Sequence, residues 1–136
     1  MIVSETKIRV RFAETDGMKI AYHGNYLGWF EAARVDMLDM LETPYKELDA
    51  QGFHLPVLEI GVRYLKSAFF DDILTVRAMI KERPGVRIRI DYEVGRGEDK
   101  LCEGFTKHAF VNGVGLPIKP PADFIKKLRV FFDASE

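Results

Sequence analysis

Three features of this 136-residue chain predict an α+β fold, an antiparallel sheet of about five strands wrapped around one long buried helix. From about Gly24 to Glu42 the apolar residues keep helical spacing and spread well beyond one face. On either side of that stretch, five segments read as strands, four of them alternating with period two and the last, 101–112, mixed on both faces. Short turns join the last four of them, which makes sequential strands antiparallel neighbours. A run of strands after one helix is an α+β order, and the sheet edges left over favour an oligomer.

The first strand, 4–13, sets Ile8, Val10 and Phe12 against Lys7, Arg9 and Arg11. Ala13 to His23 is a loop carrying Gly17. In the helix, Tyr26, Phe30, Ala33, Met37 and Leu41 form one stripe, and Leu27, Trp29 and Leu38 widen it. Glu31 and Arg34 sit at i,i+3 and are expected to pair. Thr43-Pro44 reads as an N-cap with proline at N1, opening a short helix that stops at Gly52. Strands follow at 54–66 (Leu58, Ile60, Val62 and Tyr64 on one side), 73–82 (Leu74, Val76, Ala78 and Ile80 inward), 86–95 (Val86, Ile88, Ile90, Tyr92 and Val94 inward) and 101–112. Turns are expected at Asp71-Asp72, Pro84-Gly85 and Gly95 to Lys100. After Pro120-Pro121 a short amphipathic helix carries Phe124, Ile125, Leu128 and Phe131.

The whole chain, 1–136, reads as one domain. A composition 47% hydrophobic and 30% charged is that of a globular protein with room for a core. A net charge of −1 gives no pull toward nucleic acid or an anionic membrane surface. No apolar run approaches the ~18 residues of a membrane span, so no membrane insertion is expected. Met1 to Arg11 lacks the apolar core of a signal peptide, and the single cysteine, Cys102, cannot form an internal disulfide; both suggest a cytoplasmic location.

The chemistry points to the stretch from Arg11 to Arg34, RFAETDGMKIAYHGNYLGWFEAAR. A lone carboxylate, Asp16, stands in a polar turn just before the apolar helix. Backbone N–H groups at a helix start are unpaired and favour negative charge. A carboxylate beside such donors could attack a carbonyl, or activate water to do so, while the donors take up the oxyanion. A plain turn or N-cap aspartate is the structural alternative.

Thr15-Asp16, Tyr22-His23-Gly24-Asn25-Tyr26, Trp29-Phe30-Glu31 and Ala33-Arg34 together resemble the acyl-CoA thioesterases of the hotdog fold, in the 4-hydroxybenzoyl-CoA thioesterase and YbgC/FadM-like group. Tyr64 with Asp71-Asp72-Ile73-Leu74, the run Gly104 to His108, and Gly115-Leu116-Pro117 extend the likeness over most of the chain. The resemblance implies that Asp16 acts as general base or nucleophile and that the His23 amide polarises the thioester carbonyl. It also implies dimers that pair into tetramers. Two residues depart from the pattern: Lys19 fills a usual glycine position, and Ala21 replaces a bulky aliphatic residue before Tyr22. Ser67-Ala68 stands where the family has Pro-Ala.

Around Asp16 and His23, the residues Tyr22, Gly24, Asn25 and Tyr26 are candidates for shaping the substrate site, Asn25 and Tyr26 by fixing the helix start. The phosphates of coenzyme A call for cations, and Arg63, Lys66, Arg87 and Arg89 are the candidates; a solvated strand face is the alternative. Glu31 on the helix is a rival catalytic acid, with an ion pair to Arg34 as its plainer role, and Glu59 is a weaker rival still. His23, His54 and His108 lack ligand spacing, so no metal and no other cofactor is expected. The leading reading is hydrolysis of an acyl-CoA to a free acid and CoA. The alternatives are an acyl-carrier-protein or aromatic acyl-CoA thioester as substrate, a non-catalytic CoA-binding or interaction module, and a dehydratase on the same fold.

Overall fold

The computed structural model describes residues 1–135. In chain order the elements are β1 (Ile2–Arg9), a 3-10 turn (Phe12–Glu14), α1 (Asn25–Met40), α2 (Tyr45–Ala50), β2 (Val57–Tyr64), β3 (Ile73–Ile80), β4 (Ile88–Arg96), β5 (Asp99–His108) and α3 (Ala122–Ala134). The strands form one antiparallel sheet in the order β1-β3-β4-β5-β2. One face of it packs on α1, as expected from the strand-rich order with a single apolar helix.

The alternation of β3 and β4 builds that face. Leu74, Val76, Ala78 and Ile80 are buried, as are Ile88, Ile90, Tyr92 and Val94. From α1 come Phe30, Ala33 and Met37, all fully buried. Phe30 stacks on Tyr92 with ring centres 4.4 Å apart and planes 8° apart. It reaches the sheet because Gly104, opposite Tyr92, has no side chain: a Cβ there would lie 2.9 Å from the Phe30 ring and 2.7 Å from the Gly61 carbonyl oxygen.

Several boundaries and partners differ from the sequence-based expectation, each for a local reason. β1 ends at Arg9, and the 3-10 turn that follows swings Phe12 out to solvent. Val86 is likewise exposed because β4 starts at Ile88. The β4–β5 turn is only Gly97-Glu98, with Gly97 at φ +60° as a tight hairpin requires, so both strands run further into the expected turn. Thr43 does not cap α2; its N–H and hydroxyl both donate to the Leu38 carbonyl and finish α1 instead. Arg34 turns inward to the Tyr92 hydroxyl (3.2 Å), and among the described residues Glu31 has no ion-pair partner. The helix is not buried on most sides: Leu27 and Val35 are exposed on one flank and Met40 on another. β2 is an edge strand with a bulge near Val57, so Leu58, Ile60 and Tyr64 keep nearly half their surface exposed. In α3 the core positions are Phe124, Leu128 and Phe132.

A polar chain crosses the core. An Arg34 N–H donates to the Tyr92 hydroxyl oxygen, which lies 2.7 Å from the Thr106 hydroxyl, itself 2.8 Å from His108 Nε2; His108 Nδ1 faces the carbonyls of Leu55 and Pro56 at 3.2 and 3.1 Å. Every proton has an acceptor if Nδ1 carries the imidazole hydrogen and Thr106 donates to Nε2. Burial, with the Arg34 charge nearby, pushes the His108 pKa down to about 4, so the ring is neutral at pH 7. Replacing Thr106 by Val strands both neighbours, and each orphaned buried group costs about 1–3 kcal/mol. Urea denaturation of Thr106→Val is expected to show a loss of at least that size with an unchanged m-value.

Candidate active site

The loop between β1 and α1 is a small hairpin with a buried carboxylate at its base. Glu14, only 8% exposed, accepts hydrogen bonds from the Arg11 amide (2.8 Å) and the Trp29 indole (2.9 Å), and the Arg11 guanidinium lies 3.4 Å away. Its main-chain carbonyl accepts from the Tyr22 amide (2.8 Å) and the Asn25 side chain (2.7 Å). One residue thereby ties the end of the first strand, the loop and the first turns of α1 together. Burial alone would raise the Glu14 pKa, but the hydrogen bonds from Arg11 and Trp29 and the Arg11 charge outweigh it and hold the carboxyl below its usual range.

From that base two short arms run antiparallel. Thr15 pairs with Ala21, and the Asp16 N–H donates to the Ile20 carbonyl at 2.8 Å. The far side of the loop is strapped to the segment before β3: Ala21 N–H bonds the Ala68 carbonyl, Ile20 pairs with Phe69, and Phe70 N–H bonds the Lys19 carbonyl. That segment is itself held by Asp72, whose carboxylate takes the Phe69 amide and Arg96.

Asp16 stands at the tip. Its Oδ1 accepts from the amides of Met18 (2.8 Å) and Ile20 (3.3 Å), which closes the turn; its Oδ2 accepts no hydrogen bond among the described residues. The carboxylate is thus half structural and half available, on an exposed residue. Lys19 completes the turn at φ +64°, a left-handed backbone that glycine adopts freely and a lysine only under strain.

At the other end of the loop, the Tyr22 amide bonds Glu14 and the Asn25 amide bonds the Tyr22 carbonyl (3.0 Å), but the amides of His23 and Gly24 between them have no acceptor among the described residues. These are the free donors of the helix start. The carbonyls of the same two peptides are engaged, that of Tyr22 by Asn25 and that of His23 by the Tyr26 amide (3.3 Å) and the Tyr64 hydroxyl (2.8 Å). The Tyr22 ring lies over Gly24, where a Cβ would come within 2.9 Å of it. Asp16 and Tyr22 stand two residue rows apart on opposite arms of the hairpin, so the carboxylate and the helix-start amides belong to one small loop.

The other expected site residues are distributed as follows. Asn25 is the first helical residue and locks onto Glu14; Tyr26 is buried, its ring packed on Trp29 (4.6 Å) and Tyr64 (5.1 Å). The His23 imidazole is exposed and lies tilted against the Tyr22 ring, centres 4.3 Å apart, and among the described residues it makes no hydrogen bond to Asp16. Arg63 and Arg89 share a groove of about 400 Å³ on the sheet face opposite α1, where Arg63 pairs with Glu103, and Arg89 pairs with Asp91 and covers the Phe105 ring. Lys66 pairs with Asp99 at 2.9 Å, and Arg87 is an exposed residue before β4. Within one chain these four do not meet the Asp16 loop. The cations beside it are instead Lys7, Arg9 and Arg11, in a groove of about 490 Å³ that continues along Gly24, Asn25 and Gly28 of α1. Cys102 is buried, which together with the Glu103 charge pushes its pKa up to about 12, so it is no nucleophile.

Glu14 and Tyr64 are the contributors that sequence reasoning does not assign to the site. Tyr64 carries a faint signal, as part of the family likeness; Glu14 carries none, because its partners Trp29 and Asn25 become neighbours only when the helix folds back on the loop.

Two measurements check this geometry. The lowered Glu14 pKa makes its contribution complete above the ordinary value of 4.5 and lost as pH falls through the folded value. Stability of the Glu14→Gln variant, followed by urea melts, is therefore expected to fall less steeply between neutrality and pH 3 than that of the wild type. Lys19→Gly relieves about 1–2 kcal/mol of left-handed strain and gives back about 0.4–1 kcal/mol in unfolded-chain entropy, so a small net stabilisation is expected in the same assay.

Comparison with known proteins identifies the family. The model of the thioesterase-like superfamily matches residues 10–128. The acyl-CoA thioesterase YbgC of Haemophilus influenzae is 29% identical over 126 residues, 92% of this chain and 90% of that protein. The structure of the hypothetical protein TT1821 of Thermus thermophilus superposes with a TM-score of 0.89 at 35% identity, covering 96% of this chain and 98% of the other. That of the DHNA-CoA thioesterase of Staphylococcus aureus gives 0.89 at 29% identity, covering 100% and 97%. A five-stranded sheet around a central helix, an acid loop at the helix start and these relatives lead to one conclusion: the chain belongs to the thioesterase-like superfamily and is a hotdog-fold thioester hydrolase.

Proposed function

We propose that the chain hydrolyses an acyl-CoA thioester to a free carboxylic acid and CoA at the Asp16 loop. The observation that carries this reading is the pairing of an unengaged Asp16 Oδ2 with two acceptorless amides, His23 and Gly24, on one loop pinned by Glu14. The amides hold the thioester oxygen and take up the negative charge that develops on it. As general base, Asp16 removes a proton from water while the water oxygen bonds to the carbonyl carbon. The tetrahedral oxyanion then collapses, the C–S bond breaks, and the proton passes from Asp16 to the departing sulfur. As nucleophile, Oδ2 itself displaces the thiolate, and water cleaves the resulting anhydride. Both routes use the same atoms of the protein, with Tyr22, Gly24, Asn25 and Tyr26 shaping and bracing the helix start.

The CoA phosphates require cations. Arg63 and Arg89 on the outer groove remain candidates, as do Lys66 and Arg87 outside it, while Lys7, Arg9 and Arg11 form the cationic surface continuous with the helix start. A homodimer assembling to a homotetramer is part of the proposal. β2 has an open edge, and Leu58, Ile60 and the Leu27–Val35 flank of α1 are apolar surface that a second copy would cover. No helix among the described residues is long and apolar enough to cross a membrane; we place the enzyme in the cytoplasm, where CoA thioesters are met in a reducing medium.

Free-thiol release from a panel of acyl-CoAs tests the reading. Asp16→Asn is expected to lower kcat about 10²-fold or more, as loss of a general base does, with little change in melting temperature. An unchanged rate in Asp16→Asn would remove Asp16 from the mechanism. A rate on an acyl-carrier-protein thioester far above that on the matching CoA thioester would move the substrate to the carrier protein. Light scattering is expected to return a dimer or tetramer, and a monomer would overturn the assembly.

A further inference from the structure

We propose that Tyr64 is a positioning residue for catalysis, acting through the His23–Gly24 peptide to aim and strengthen the Gly24 N–H as an oxyanion donor. This rests on the site reading above and goes beyond it, because Tyr64 lies on a different element, at the end of β2, 41 residues along the chain from His23.

The argument starts from the peptide group. The His23 carbonyl and the Gly24 N–H belong to one planar unit, so whatever fixes the carbonyl fixes the N–H on its other side. The Tyr64 hydroxyl donates to that carbonyl at 2.8 Å, a short and well-formed bond. The helical bond to the same oxygen, from Tyr26, is longer at 3.3 Å. A hydrogen bond accepted at a carbonyl draws electron density toward the oxygen and makes the attached N–H a better donor. Among the described residues the neighbouring peptide, which carries the His23 N–H, has no such side-chain donor; its carbonyl is met by the Asn25 amide at 3.0 Å. The two free donors are thus not equivalent, and the stronger is at Gly24.

The surroundings hold the hydroxyl in place. The Tyr64 ring packs edge-on against Tyr26 (5.1 Å) and against the His23 imidazole (6.2 Å). Tyr26 is itself buried on Trp29, whose indole binds Glu14. The Glu14 bonds that pin the loop and the Tyr64 bond that aims the donor therefore end on the same aromatic cluster. A hydroxyl with only a packing role would not need to meet a carbonyl whose peptide N–H faces away without an acceptor.

Tyr64→Phe removes the hydroxyl and keeps the ring. Its kcat is expected to fall about tenfold, less than the loss of a whole oxyanion donor, with KM within twofold of wild type. Two unreactive CoA analogues separate positioning from structure: a ketone with methylene in place of the thioester sulfur, which keeps the carbonyl, and a thioether, which lacks it. Tyr64→Phe is expected to weaken the ketone severalfold and leave the thioether unchanged, a ratio that does not depend on the folded fraction. Equal weakening of both analogues would overturn the proposal in favour of a structural role. A wild-type kcat in Tyr64→Phe, with Asp16→Asn inactive, would overturn it while leaving the site standing. Full activity in Asp16→Asn would remove the site and this inference with it.

Discussion

Glu14 is the constraint on which the site depends. Its carboxylate and its carbonyl together receive the Arg11, Trp29, Tyr22 and Asn25 groups, which come from both ends of the loop and from the helix. Without that anchor, the hairpin carrying Asp16 would meet α1 only through the chain itself. A buried carboxylate is costly unless its oxygens are hydrogen-bonded, and here the Arg11 amide and the Trp29 indole donate one bond to each oxygen, with the Arg11 guanidinium beside them. The result is a loop whose tip is exposed while its base is part of the core.

The sheet supports the same arrangement from the other side. Ala68, Phe69 and Phe70 strap the far arm of the loop, Asp72 and Arg96 hold that strap, and Tyr64 at the end of β2 reaches the helix start. The edge strand is thus part of the support of the candidate site, because its end lies within reach of the helix start. The buried chain from Arg34 through Tyr92 and Thr106 to His108 serves a different end. It satisfies polar groups across the middle of the core and fixes how α1 sits on β4 and β5.

Period-two alternation made β3 and β4 legible, and their inward residues are the buried ones from Leu74 to Ile80 and from Ile88 to Val94. The same rule misplaced Phe12 and Val86, because alternation says which face a residue takes only while the strand lasts. Where β1 and β4 begin and end depends on turn geometry and on pairing with β3. The i,i+3 spacing of Glu31 and Arg34 offered an ion pair, but the buried Tyr92 hydroxyl is the partner Arg34 takes. Lys19 is the reverse case: a position where the family likeness expects glycine is one that the backbone holds at φ +64°. At the site, Asp16, the unpaired helix-start amides and the residues from Tyr22 to Tyr26 were legible, since turn, helix start and family likeness all lie within one continuous stretch. The cations near that stretch, Lys7, Arg9 and Arg11, were read only as the polar side of a strand, and their groove exists because α1 folds beside them.

By itself, the amino-acid order determined most of the elements, the antiparallel run β3-β4-β5, and the local unit of acid, turn and helix start. Those properties depend on side-chain periodicity and on residues a few positions apart, which the chain carries in any conformation. It also made β2 and β3 neighbours, which the structure corrects, since β2 pairs with β5 and β3 with β1 and β4. Only the tertiary structure decided that Glu14 is buried, that β2 lies at the sheet edge beside β5, and that Tyr64 meets the His23 carbonyl. Each of these joins residues 11 to 51 positions apart, from Glu14–Asn25 to Val57–His108. Such contacts have no spacing rule, because the closing of the sheet around the helix sets the distance between them.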